Sequence, residues 1–186
     1  MRPRVSTIFP AVESGASMGK QSVEVFVSYA RANKYLASRL LKHYKEQAGA
    51  SKRFRYLFWQ DRDILVGDDW QEAIRSALDK CTLGLLLISP AFLGSQYIKK
   101  KELPRFVGGR AKPVIPVMLQ PVDPKLQDLK GLKEKQIFRL DRPKFSEPKA
   151  FAECTAARRD EFALELFRRV EARLARIFPD RRARPR

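Results

Sequence analysis

The sequence contains no long apolar run. None of its hydrophobic stretches approaches the roughly 20 consecutive residues that a helix needs to cross a bilayer. The first 21 residues include two arginines but no continuous apolar segment, so they do not have the pattern of a secretory signal peptide. We therefore expect residues 1–21 to be a flexible leader, the protein to be cytoplasmic, and the chain to have no membrane association.

Cysteine and histidine are scarce. The 186 residues include two cysteines, Cys81 and Cys154, and one histidine, His43, with no paired or clustered spacing. This pattern supports neither a disulfide framework nor a zinc site. Four aspartates lie between residues 61 and 69, but their spacing does not match a loop that converges oxygens on a hard cation. We predict no metal site.

Negative charge is also in short supply, and the formal net charge is +17. Such an excess often indicates nucleic acid or an anionic membrane as partner. Here, however, the cations are split between two stretches: six in residues 99–112, and ten arginines in residues 158–186. Neither stretch interleaves aromatic residues with cations as single-strand binding platforms do. We therefore do not expect nucleic acid as a partner. We expect residues 179–186 to form a disordered basic tail.

Strand-like and helix-like segments alternate along the rest of the chain. Short apolar, β-branched or aromatic runs predict strands at residues 23–27, 54–59, 83–89 and 113–119, with a weaker one at 136–140. Apolar residues at three- and four-residue intervals predict helices over 34–47, from Trp70, from near Ser95, and over 159–178. The alternation predicts one α/β domain over residues 22–178, closed by the last helix. Its parallel sheet has five strands in the order 2-1-3-4-5, with helices on both faces.

A sheet of this order opens a crevice at the carboxyl ends of its first and third strands, where ligands bind. The loops bordering the crevice are residues 28–33 and 89–95. With Ser95 as the cap of the following helix, Ile98 and Glu102 fall three and seven residues on, along one helix face. Glu102 could therefore serve a ligand, or could simply pair with Lys99 or Arg105 at helical spacing.

Three segments together resemble the boxes of a Toll/interleukin receptor (TIR) domain, in the form found in bacterial proteins. They are "VFVSYARAN", "FWQDRDILVGDDWQEAI" and "LGLLLISPAFLGSQYIKKKELP", and the resemblance extends over roughly residues 22 to 140. It implies a flavodoxin-like fold, as the strand pattern predicts. A flavodoxin itself stays possible, whereas a receiver domain is disfavoured because Ser28 and Ser89 occupy the strand ends where that class needs acids.

Many members of the TIR family cleave NAD+ between nicotinamide and ribose, and Glu102 matches their catalytic glutamate by position. NAD+ would then be a substrate, with no bound cofactor. One acid could suffice, because nicotinamide leaves as a neutral molecule without protonation, and cations near Glu102 would lower its pKa. The resemblance implies substrate-binding roles for the first-strand loop and the third helix: Ser28, Tyr29, Arg31, Ser95, Tyr97 and Ile98. A dehydrogenase is disfavoured because no GxGxxG follows a strand.

The loop after the second strand mediates domain contacts in this family and closes over the site. The corresponding residues here are Asp61, Asp63, Gly67, Asp68 and Trp70. The resemblance implies self-association through TIR–TIR contacts, a separate trigger or effector protein, and a role in bacterial antiphage defence or signalling. A non-enzymatic TIR–TIR adaptor is the alternative. One departure keeps that alternative open: many relatives carry an aromatic residue four positions before the glutamate, whereas Tyr97 lies five before it.

Overall fold

The computed structural model describes residues 20–60, 69–109 and 111–179. Strands and helices alternate over these residues, with short helical turns between some of them. The strands are β1 (Gln21–Ser28), β2 (Phe54–Trp59), β3 (Leu83–Ile88) and β4 (Val114–Met118), and the helices are α1 (Lys34–Gly49), α2 (Trp70–Lys80), α3 (Pro90–Gly94) and α4 (Ala156–Ile177). Residues 122–135 form turns and loops only. No helix in these ranges is both long and apolar enough to cross a membrane.

The sheet is parallel throughout, in the order β2-β1-β3-β4. This confirms the predicted α/β fold. The predicted fifth strand is wrong in extent: Phe138 lies beside β4 in the expected place but forms a single parallel bridge, to Val117. Its amide nitrogen donates to the Pro116 carbonyl at 2.8 Å, and its carbonyl accepts from the Met118 amide at 2.9 Å. Pro116 has no N–H of its own, so the outer edge of β4 offers few donors for a longer ladder.

Helices cover both faces of the sheet. All six residues of β3 are buried, as expected for a central strand covered on both sides. One core cluster joins α1 and α4 to one face, and a second joins α2 and the segment after β3 to the other. Glu171 of α4 fixes the closing helix by accepting from the Tyr56 and Ser51 hydroxyls, each at 2.7 Å.

Helix starts follow from local capping chemistry. Asp69 caps α2, because its carboxylate accepts from the Glu72 amide at 2.9 Å. Ser89 ends β3 and caps α3 by accepting from the Phe92 amide at 3.0 Å, while Pro90 occupies the first helical position. The chain therefore turns sharply at the carboxyl end of β3, which places the following segment beside the end of β1.

Gly84 allows a close approach near the start of β3. A Cβ atom at this position would lie 2.3 Å from Cε1 of Phe106, closer than any ordinary contact. Phe106 is fully buried, and its ring lies 6.2 Å from that of Phe26. Because Phe106 follows Glu102 by four residues, this contact seats the Glu102 segment against the sheet.

Candidate functional site

A cleft of about 340 Å³ lies at the carboxyl ends of β1 and β2, beside the segment that follows α3. This is the position at which open α/β sheets bind ligands. The first-strand loop, the start of α2 and the segment after α3 form its walls. The lining residues are Phe26, Val27, Ser28, Tyr29, Ala30, Arg31, Trp59, Trp70, Ile74, Ser95, Tyr97, Ile98 and Glu102.

Glu102 ends a π-helical turn, Ile98–Glu102, which runs into a 3-10 turn, Leu103–Arg105. The sequence predicts one helix from near Ser95, and this prediction is wrong in the type of helix. The α-helical turn, α3, ends before Ser95, and the segment after Ser95 winds more widely than an α-helix. Pro104 lacks the amide that would continue an α-helical ladder, which accounts for the irregular end. Ser95 still caps the turn, as its hydroxyl accepts from the Ile98 amide at 3.3 Å. Such π turns are frequent at functional sites.

The Glu102 carboxylate faces the cleft but is only 8% exposed. The buried Ser28 hydroxyl donates a hydrogen bond to its Oε2. Arg105 instead pairs with Asp79 at 2.9 Å, and Lys99 is exposed to solvent. Ser28 at the end of β1 thus holds Glu102 in position. The predicted alternative, an ion pair between Glu102 and Arg105, does not form.

Aromatic rings form the outer wall of the cleft. The rings of Trp70 and Tyr97 are 4.7 Å apart at 36°, and the Arg31 guanidinium lies 5.8 Å from the Trp70 ring centre. Burial, and then the nearby Glu102 carboxylate, raise the pKa of Tyr97 to about 12. Tyr97 is therefore a neutral phenol at physiological pH, and its ring gives the cleft an apolar side.

Trp59 forms the floor on the β2 side. It is 2% exposed, and its ring stacks on Phe26 at 5.0 Å. Its indole nitrogen is buried without a hydrogen-bond partner among the residues that the structure describes. The ring therefore acts as apolar packing beneath the cleft.

A buried polar network behind the cleft was not predicted from the sequence. The Ser89 hydroxyl donates to Asn33 Oδ1 at 2.6 Å, and the Asn33 amide donates to Gln120 Oε1 at 2.7 Å. It connects the ends of β3 and β4 to the turn that carries Arg31. Asn33 precedes α1 in the manner of a helix cap, yet its side chain makes no capping bond. In the sequence, the only sign of this network is that a polar residue follows the end of each strand. Spacing alone does not show which of these residues bond to one another.

The structure brings together every predicted site residue that it describes. Seven of them line the cleft with Trp70: Ser28, Tyr29, Arg31, Ser95, Tyr97, Ile98 and Glu102. The other predicted loop residues, Asp61, Asp63, Gly67 and Asp68, lie outside the described residues, as do most of the predicted leader and the basic tail. Within the described part of the chain, no group of three or more His, Cys, Asp or Glu residues could hold a metal ion.

The fold and the cleft define a parallel α/β protein with a ligand-sized site at the carboxyl end of its sheet. A family model described as "TIR domain" matches residues 25–155, and the chain belongs to this family. A solved structure agrees in fold: the TIR domain of the Toll-related receptor TRR-2 from Hydra magnipapillata. It is 18% identical, with a TM-score of 0.54, and the match covers 80% of this chain and 98% of that one. No curated protein sequence matches the chain.

Proposed function

We propose that this protein is an NAD+ glycohydrolase in which Glu102 is the catalytic carboxylate. The observation that carries the proposal is the nearly buried Glu102 side chain, which faces a ligand-sized cleft and is fixed by the Ser28 hydroxyl. A carboxylate is costly to remove from water, and the Ser28 hydroxyl offsets part of that cost while the side chain still faces the cleft. The resemblance to the family supports the proposal, because Glu102 matches the family's catalytic glutamate by position.

The reaction would break the bond between ribose C1′ and the nicotinamide nitrogen. The bonding electron pair passes to the pyridinium nitrogen, so nicotinamide leaves as a neutral molecule and positive charge forms on the ribose. The fixed negative charge of Glu102 would stabilise that developing charge in a site shielded from water. Water then adds to C1′ and releases a proton, giving ADP-ribose; attack by an adenine nitrogen would give cyclic ADP-ribose instead.

The size and lining of the cleft fit one end of NAD+. At about 340 Å³ it is at the lower end of the ~300–1,000 Å³ that ligand pockets usually have. Nicotinamide and its ribose would fill it, with Tyr97 and Trp70 against the base. Arg31 at the mouth is placed to meet the diphosphate. The adenosine half would extend beyond the cleft, where a second copy of the domain could complete its binding site.

The test is nicotinamide release from NAD+ over a range of protein concentrations. If self-association through TIR–TIR contacts completes the site, release should rise more steeply than linearly with protein concentration, and Glu102→Ala should abolish it. As a control, circular dichroism should show that the Glu102→Ala protein is folded. No release at any concentration would favour the alternative, a non-enzymatic adaptor. We further propose a cytoplasmic role in antiphage defence or signalling, with a separate protein as trigger.

A further inference from the structure

A second and larger cleft lies at the opposite end of the sheet from Glu102. Its volume is about 920 Å³. It opens between the start of β4 (residues 111–116) and the segment 134–139, and the second half of α4 forms its outer wall. We call this cleft the edge groove. Since β4 begins at Val114 and the strands are parallel, the groove is separate from the cleft at the carboxyl ends.

The edge groove exists because the fifth strand is incomplete. Phe138 pairs with β4 only at Val117, and the preceding residues diverge from it. The Pro116 carbonyl and the Met118 amide point outward to Phe138. Since backbone direction alternates along a strand, Val114 also presents its N–H and C=O to this edge. A short stretch of sheet edge is therefore open to an extended chain.

Positive charge dominates the groove. Its lining includes seven cations (Lys112, Lys135, Arg139, Arg142, Arg169, Arg173 and Arg176) and three acids (Glu134, Asp141 and Glu165). Some of the cations are already paired, for example Arg142 with Glu161 at 2.5 Å. Four others make no ion pair within the described part of the chain: Lys135, Arg139, Arg173 and Arg176. The fold thus brings Lys135 and Arg139 onto one surface with arginines of the second basic stretch.

The floor of the groove is apolar. Ile115, Ile137 and Phe138 are all half-buried there. The Phe138 ring packs edge-on against Phe162, with centroids 5.0 Å apart at 82°. Because that ring is engaged in the core, the floor suits aliphatic side chains better than stacked bases.

We propose that the edge groove binds an extended peptide segment of a partner protein in which acidic and aliphatic residues alternate. In an extended chain, alternate side chains point to opposite sides, so the acids can meet Arg173 and Arg176 on the α4 side of the sheet while the aliphatic residues cover Ile137, which packs with the core on the other side. The backbone can bond to the free edge at Val114. This inference is independent of NAD+ cleavage, since no residue of the groove lines the Glu102 cleft.

The test is fluorescence anisotropy with a labelled peptide of alternating aspartate and valine. The wild-type chain should bind it, and binding should weaken as salt screens the exposed charges. The double variant Arg173→Glu/Arg176→Glu should bind about tenfold more weakly or worse. The matched control is Lys52→Glu/Arg55→Glu, which makes the same change in net charge at exposed positions beside and in β2, at the other edge of the sheet. It should bind like wild type.

Three results would overturn the proposal. Equal weakening by both double variants would mean that net charge, and not the groove, attracts the peptide. If the wild-type chain bound an oligothymidine more tightly than the peptide, and the groove variant lost that binding, the surface would be assigned to nucleic acid. If the peptide did not bind, and the groove variant had a lower mass in sedimentation than wild type, the edge groove would be assigned to contact with a second copy of this chain.

Discussion

Gly84 offers a sharp test of how the Glu102 segment is seated. Adding a methyl group by Gly84→Ala would place Cβ 2.3 Å from Cε1 and 2.7 Å from Cζ of Phe106, so the ring must retreat by about 1 Å to reach ordinary contact. It has no open space to enter, because Phe106 is fully buried and is backed by Phe26, which stacks on Trp59. Overpacking of this kind costs about 1–3 kcal/mol.

Urea unfolding followed by circular dichroism measures this cost, and Tm should fall by about 2–4 °C for each kcal/mol in a chain of this size. Gly49→Ala is the matched control. A Cβ at Gly49, the last residue of α1, meets nothing within 4 Å, so that variant should be neutral or up to about 1 kcal/mol more stable. Combining Gly84→Ala with Phe106→Leu should recover part of the loss, because the smaller side chain relieves the clash. A fully stable Gly84→Ala protein, or strictly additive effects in the double variant, would refute the reasoning.

Three further predictions concern the cleft and the groups behind it. Asn33→Ala should lower the free energy of unfolding by about 1–3 kcal/mol in urea titrations, because it leaves the buried Ser89 hydroxyl without its acceptor; an unchanged midpoint would contradict the network. Ser28→Ala should reduce nicotinamide release about tenfold or more, since it removes a hydrogen bond to the charged Glu102, and wild-type rates would argue against this positioning. Tyr97 has a pKa of about 12 in the folded protein, so the unfolded chain loses this proton first, and the contribution of Tyr97 to stability should be constant below about pH 10 and should fall between about pH 10 and 12. Tyr97→Phe should flatten that part of the stability profile, and Glu102→Gln should lower the pKa of Tyr97 in a spectrophotometric titration.

Most of the fold was predictable because each element has a local cause. The apolar run of β3 indicates a strand buried on both faces, and the stripes of α1, α2 and α4 mark their inner sides. The fifth strand was not predictable in extent, because its short apolar run does not show that the neighbouring Pro116 lacks a donor or that the chain diverges before Phe138. The helix at Ser95 was mistaken in type because Pro104, two residues beyond Glu102, lacks the amide that would continue an α-helical ladder.

The candidate site was predictable in outline because topology alone brings the ends of β1 and β3 together. That reasoning nominated both loops, and the structure places Ser28 in contact with Glu102 across 74 residues of sequence. Pairings within the site were not predictable. Spacing offered Lys99 or Arg105 as a partner of Glu102, yet Lys99 is exposed and Arg105 reaches Asp79 on α2. No local pattern links Asn33 to Ser89 or Gln120. Such contacts depend on packing between distant elements.

The central claim is that the charge of Glu102 stabilises positive charge forming on ribose. Glu102→Gln tests it most directly, because glutamine keeps the shape of the side chain and an oxygen that accepts from Ser28 but carries no charge. NAD+ binding, measured by isothermal titration calorimetry, should be largely retained, while kcat for nicotinamide release should fall about 10²–10³-fold. Unchanged turnover by a folded Glu102→Gln protein would contradict the account.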